Sequence, residues 1–164
     1  FARTLLDRVE QRGFGDRTVL FEPGRSLVGN AGLLLTRVEY LKPGASKNFC
    51  IVDAAMNDLA RPAMYEAYHH IVPVREGQSA PVVYDVVGPV CESGDWLGRD
   101  RSLAVQPGDV LAILSAGAYG FTMSSNYNTR NRAAEVIVDG DKVHLARERE
   151  CFEDLIRGEH LFPA

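Results

Sequence analysis

A thiol and two carboxylates fall within five residues in Cys91-Glu92-Ser93-Gly94-Asp95. Thiols have a reference pKa of ~8.5, so one can give up a proton near neutrality and be recharged from solvent, as a general acid must. A neighbouring carboxylate can hold an ammonium group. Gly88 and Pro89 end the β-like run Val82–Val87, which predicts a displayed loop for Cys91 and Glu92. Ser93 and Asp95 are expected to shape that loop by accepting backbone N–H groups. Taken alone, the pair fits a small buried cysteine beside a solvated acid equally well.

Three other stretches carry groups suited to anions. In Glu22-Pro23-Gly24-Arg25, the glycine lets backbone N–H groups approach an anion, and the guanidinium can grip a carboxylate through two parallel bonds. A strand-end turn with a solvated arginine has the same composition. Arg61 and Tyr65 stand four apart, so on a helix both reach one carboxylate, or one packs along the other. Tyr119 follows Gly117 and Ala118, small neighbours that let its ring lie against a ligand or fill a core. His69, His70, His144 and His160 lack metal-ligand spacing and are expected at the surface or satisfied in the core, and no metal site is expected.

These residues need elements to hold them. Leu5, Leu6 and Val9 give residues 1–12 the pattern of a surface helix with one buried stripe, stopped by Gly13 and Gly15. Thr18-Val19-Leu20-Phe21 has the continuous apolar character of a parallel strand buried on both faces, and it runs into the polar loop at Glu22. Helix, strand and Gly-containing loop are the rhythm of an α/β unit, where ligands bind beyond the strand's C-terminal end. From residue 33 the chain changes to short β-like runs: Leu33–Lys42, Phe49–Ala54, Ile71–Val74, Val82–Val87, Val110–Leu114, Ala134–Val138 and Lys142–Ala146. Turn signals separate them at Lys42-Pro43-Gly44, Gln106-Pro107-Gly108-Asp109 and Asp139-Gly140-Asp141, the last predicting a hairpin. The expected fold is mainly β with a few helices, a closed or sandwiched antiparallel sheet. A helix is expected over 56–68, capped by Asn57 or Asp58 with Pro62 in its first turn. A last one is expected over Cys151–Arg157, with Glu150 and Glu153 near its positive end and Gly158 as its stop.

Composition narrows the partners. Of 164 residues, 46% are hydrophobic, enough for one core, and the net charge of −4 comes from interspersed charges that form no basic face for nucleic acid. No apolar run approaches the ~20 residues of a membrane helix, so a small soluble ligand and a cytoplasmic location are expected. Cys50, Cys91 and Cys151 are an odd number at wide spacing, which argues for reduced thiols. The chain opens at Phe1 within a helical pattern, which leads us to expect a fragment of a longer protein.

Five stretches in order, Glu22-Pro23-Gly24-Arg25-Ser26-Leu27-Val28-Gly29-Asn30-Ala31-Gly32, Arg61-Pro62-Ala63-Met64-Tyr65, Cys91 to Asp95, Gly117-Ala118-Tyr119-Gly120 and Tyr127-Asn128-Thr129-Arg130, resemble the diaminopimelate decarboxylase family of fold-type III pyridoxal-phosphate enzymes. The resemblance covers essentially the whole chain. It implies an N-terminal (β/α)8 barrel ending in the helix and strand of residues 1–30, followed by a C-terminal antiparallel β-barrel or sandwich domain over 31–164. It also implies pyridoxal 5'-phosphate as cofactor and a homodimer whose Cys91-Glu92 loop completes the partner's active site. On that basis Cys91 is the expected proton donor, and Arg25, Arg61, Tyr65, Glu92 and Tyr119 bind substrate. Glu22, Pro23, Gly24, Arg25 and Tyr119 meet the cofactor, and Tyr127–Arg130 is structural support near the site. The family's Schiff-base lysine has no match, because Lys42, Lys47 and Lys142 all lie in or beside turns of the β-domain. The expected reaction is decarboxylation of meso-diaminopimelate to L-lysine. The alternatives are a non-catalytic β-domain that binds a partner or small anion, and a related decarboxylase acting on another amino acid or on carboxynorspermidine. Two arginines with one acid favour a far-end zwitterion over the lone far amine of ornithine.

Overall fold

A computed structural model describes residues 1–77 and 79–163. Its centre is a six-stranded sheet in the order β3-β6-β1-β2-β4-β5. The strands are β1 (Leu34–Lys42), β2 (Phe49–Val52), β3 (Ile71–Pro73), β4 (Val82–Val87), β5 (Trp96–Leu103) and β6 (Val110–Ile113). The end strands β3 and β5 lie against each other without a hydrogen-bonded ladder, so the sheet curls into a nearly closed barrel. The closure is tight at Gly98. A side chain there would start 2.6 Å from Arg101 Nε and 2.8 Å from Ile71 Cδ1 on β3, so both would have to shift.

The inner face follows from alternation. Thr36 and Val38 point inward with Arg37 and Glu39 outward. A bulge between Val38 and Tyr40 then shifts the register, so that the next inward residue is Leu41. Val38, Val52, Leu59, Val86, Leu97, Leu111 and Ile113 are sealed from solvent and form the core. Cys50 belongs to it, and burial pushes its thiol up to about 11.

The mainly β expectation holds, with three corrections to its details. β2 pairs with β4 in parallel, so the sheet is mixed. β5 was not foreseen, because Arg99, Asp100 and Arg101 break every apolar pattern in it. It forms by pairing with β4 and burying Leu97 and Leu103, while its two guanidinium groups lie over aromatic rings, Arg99 4.1 Å from the Trp96 centroid and Arg101 4.0 Å from that of Tyr68. The helix expected over 56–68 shrinks to α3 (Arg61–Tyr65). Asp58 caps nothing in α3. Its carboxylate instead accepts the Ala55 N–H at 2.9 Å in a turn that precedes the helix.

Outside the barrel lie α1 (Ala2–Gln11), α2 (Gly24–Val28), the hairpin β7 (Glu135–Asp139) with β8 (Lys142–Arg147), and α4 (Phe152–Leu155). The hairpin turns at Asp139 and Gly140 as expected. The stripe on α1 is not buried: Leu5 and Leu6 are exposed and Val9 only half-buried. The strand expected at Thr18–Phe21 does not form. Among the described residues no strand pairs with it, and Leu20 remains 87% exposed. α4 is shorter than expected and is capped by Cys151, whose N–H donates to Asp154. Glu150 leaves that helix end altogether and accepts N–H bonds from Asn126 and Arg132.

Candidate functional site

The Glu22-Pro23-Gly24-Arg25 stretch is the entry into α2 rather than a loop. Pro23 caps the helix by accepting Ser26 N–H at 2.9 Å and the Ser26 hydroxyl at 2.7 Å. Glu22, Pro23 and Gly24 are exposed, and nothing lies within 4 Å of where a Gly24 side chain would begin. One side of this backbone is therefore open to a close neighbour.

From α2 the chain runs past Gly29 and Gly32 into direct backbone contact with residues 116–117. Ala116 N–H donates to Gly32 at 2.8 Å and Gly117 N–H donates to Gly29 at 3.1 Å, while Ser115 Oγ donates to Asn30 Oδ1 at 3.0 Å. A side chain on Gly32 or Gly117 would strike the other's backbone, so both positions require hydrogen. This weld sets α2 beside the Ala118-Tyr119 turn, where Tyr119 takes a left-handed φ of +58°. Such a backbone is uncommon for a bulky residue and costs on the order of 1–3 kcal/mol.

On the facing side α3 presents Arg61. Its guanidinium lies 5.7 Å from the Tyr65 ring and 5.4 Å from the Tyr119 ring. The four-residue spacing of Arg61 and Tyr65 thus makes a contact, and a ring from a distant segment joins it. Arg25 and Arg61 line one cleft of about 330 Å³, together with Asn30, Tyr68, His69 and Ser115. Among the described residues neither guanidinium has a carboxylate partner. Two unneutralised cations at one opening form an anion site. A second hollow of about 230 Å³, lined by Gly32, Asp58, Gly117 and Phe121, contains none of the predicted residues.

Cys91 and Glu92 contribute nothing to the cleft wall. Both are exposed on the expected loop, and Asp95 at its base is buried. Asp95 Oδ1 accepts Met56 N–H at 2.7 Å and Oδ2 accepts Val90 N–H at 2.7 Å, which pins the loop to the barrel. Burial raises the Asp95 carboxyl above the usual carboxylate range, against the opposing pull of those two N–H groups. The Glu92 side chain accepts Gly94 N–H at 3.2 Å within the loop and the Tyr127 hydroxyl at 3.5 Å from outside it. Arg130 braces the adjoining turn through Asn57 Oδ1 at 2.9 Å and the Asp53 carbonyl.

The residues fit the anionic end of pyridoxal phosphate and of an amino-acid substrate: two free guanidinium groups, an open glycine backbone and a tyrosine held at the rim. They do not supply an amine. Lys47 is ion-paired to Asp85 at 2.8 Å, Lys42 ends β1, and Lys142 opens β8. Sequence reading missed His69, which forms part of the cleft wall. The one available signal was its place four residues after Tyr65.

Comparison with known proteins bears on this geometry. Residues 9–117 match the family model described as pyridoxal-dependent decarboxylase, C-terminal sheet domain. A diaminopimelate decarboxylase of Pseudomonas aeruginosa is 58% identical over 99% of the chain, and one of Vibrio cholerae is 55% identical over 99%. The chain spans 39% of the length of each. A crystal structure of the diaminopimelate decarboxylase of M. jannaschii with L-lysine superposes with a TM-score of 0.86 at 44% identity. It covers 93% of this chain and 36% of that one.

Proposed function

Because the chain belongs to the pyridoxal-dependent decarboxylases, as their C-terminal sheet domain, we propose that it is the β-domain of an enzyme that converts meso-diaminopimelate to L-lysine and carbon dioxide. Residues 1–30 are the end of a (β/α)8 barrel on this reading, and 31–164 are the β-domain. The working unit is a cytoplasmic homodimer of lysine biosynthesis. The observation that carries the proposal is the cleft in which Arg25 and Arg61, far apart in sequence, meet without carboxylate partners.

Each residue then has a task set by its chemistry. Arg25 and Arg61 bind carboxylate, and the Tyr65 and Tyr119 rings both lie within 5.7 Å of the Arg61 guanidinium and steady it. The open backbone at Glu22, Pro23 and Gly24, with Arg25 and Tyr119, meets the cofactor's phosphate. When bound, pyridoxal phosphate supplies the electron sink for cleavage of the bond to the departing carboxylate. Cys91 and Glu92 are exposed and form no part of their own cleft wall, which suits work on the partner subunit's site. There Glu92 holds the substrate's far ammonium, and Cys91 Sγ delivers a proton to the carbon that has lost carbon dioxide.

The test is lysine and carbon dioxide release from diaminopimelate, measured for the protein carrying this domain against ornithine, arginine and carboxynorspermidine. Turnover selective for diaminopimelate is expected, with no turnover by residues 1–164 alone. Lysine formed by residues 1–164 alone would sink the proposed division of labour. The missing amine in the cleft favours one rival, a β-domain that binds small anions without catalysis. Phosphate binding with no turnover in any assembly would decide for that rival.

A further inference from the structure

Among the described residues two buried side-chain nitrogens lack a hydrogen-bond partner, and one of them, His69 Nε2, belongs to the cleft wall. His69 is 4% exposed, yet it follows the exposed Tyr68 and precedes the exposed His70. It points inward because Nδ1 lies 2.9 Å from the Leu114 carbonyl oxygen. A carbonyl only accepts, so Nδ1 carries the hydrogen, and in the uncharged form of the ring a lone pair is left on Nε2. An unused acceptor in a buried position is costly. The same cleft holds the complementary surplus, two guanidinium groups whose N–H donors have no carboxylate partner.

We propose that His69 is a positioning residue for carboxylate binding, with Nε2 accepting an N–H bond from the back of Arg25 or Arg61 when that guanidinium grips a ligand's carboxylate. A guanidinium uses two of its five N–H groups in a bidentate grip and has others facing away from the ligand. Nε2 is shielded from water, so its natural partner is a neighbouring protein donor rather than solvent. The resulting line runs from the Leu114 carbonyl through the imidazole and guanidinium to the carboxylate. It fixes the plane of the guanidinium without His69 touching the ligand. This inference rests on the proposed carboxylate-binding role of the cleft and adds a residue to it.

The experiment uses the protein carrying this domain with pyridoxal phosphate bound, labelled with ¹⁵N-histidine. The ¹⁵N spectrum should show His69 with Nδ1 protonated and Nε2 bare. Adding meso-diaminopimelate should shift the Nε2 signal, and either Arg25→Ala or Arg61→Ala, whichever removes the donor, should abolish the shift. His69→Leu should weaken diaminopimelate binding by about tenfold, with kcat changed far less than KM. His69→Gln, which keeps an acceptor near the Nε2 position, should recover most of that loss. A protonated Nε2, a shift that survives both arginine substitutions, or unchanged binding in His69→Leu would each overturn the proposal. If His69→Leu fails to fold, the spectra and His69→Gln still decide. If the parent protein does not bind diaminopimelate, the functional reading fails separately. The positioning role is then judged by glutarate as the probe, and absence of an Nε2 shift with glutarate overturns it.

Discussion

In the barrel, Val38, Val52, Val86, Leu97, Leu111 and Ile113 are sealed from water, whereas Val136, Val138, Val143 and Leu145 of the β7–β8 hairpin share one face that is open. The residue types match and the alternation is the same. The difference is cover. Each barrel strand has two neighbours or a closing contact, and its inward side chains meet others across the interior. The hairpin pairs only with itself, and its four apolar side chains are 52–70% exposed. Alternation in sequence therefore marks which face is apolar, and topology decides whether that face is buried.

The contrast can be broken most directly by truncation. Leu97→Ala or Leu111→Ala should cost about 2–5 kcal/mol in denaturant unfolding, while Leu145→Ala stays within about 0.5 kcal/mol. Equal losses would mean that the hairpin is covered in solution. A sharper probe is the barrel seam. Gly98→Val forces a branched side chain against Ile71 and should destabilise by about 1–3 kcal/mol, whereas Gly24→Val meets open space and should leave unfolding nearly unchanged.

The smallest effect is electrostatic, and its sign differs between two loop carboxylates and one on β4. Burial raises Asp58 and Asp95 above the ordinary 3.8, so between 3.8 and the raised values the folded state holds more protons than the unfolded. Their contribution is fully present below 3.8 and is lost as pH rises through the raised values. For Asp85, burial pulls upward but is outweighed by Lys47 and the Asp100 N–H, which leaves the carboxyl below 3.8. Its contribution is present above 3.8 and is lost as pH falls through the lowered value. In unfolding free energy followed against pH, Asp95→Asn should flatten the slope above 3.8 and Asp85→Asn the slope below it. The reverse assignment would contradict the burial pattern.

Much of the barrel was legible because its strands are short apolar runs, and β1 and β4 stop at Pro43 and Gly88. Val82–Val87 coincides with β4, and the Asp139-Gly140 turn joins β7 to β8. β5 was illegible because three charged residues in a row interrupt its apolar pattern, and the Tyr68 ring that lies over Arg101 comes from another segment. Thr18–Phe21 carried a strand's composition, yet the described residues offer it no neighbour to pair with. At the site, residue types were readable and partnership was not. The resemblance singled out Arg25, Arg61 and Tyr119, but the cation between two rings depends on a contact across more than fifty residues. His69 was overlooked because a histidine's role depends on what each ring nitrogen meets, and the Leu114 carbonyl is 45 positions away.

The touching glycines, Gly32 and Gly117, carry a further consequence. Main chain rests on main chain there, so the spacing between α2 and the Tyr119 turn has no adjustable spacer and behaves as a fixed gauge. In this chain the opening cannot be retuned at that seam by exchanging one side chain for another. What can change is what hangs into the gap, which leaves Arg25, Arg61 and their neighbours as the adjustable parts of an aperture with a rigid frame.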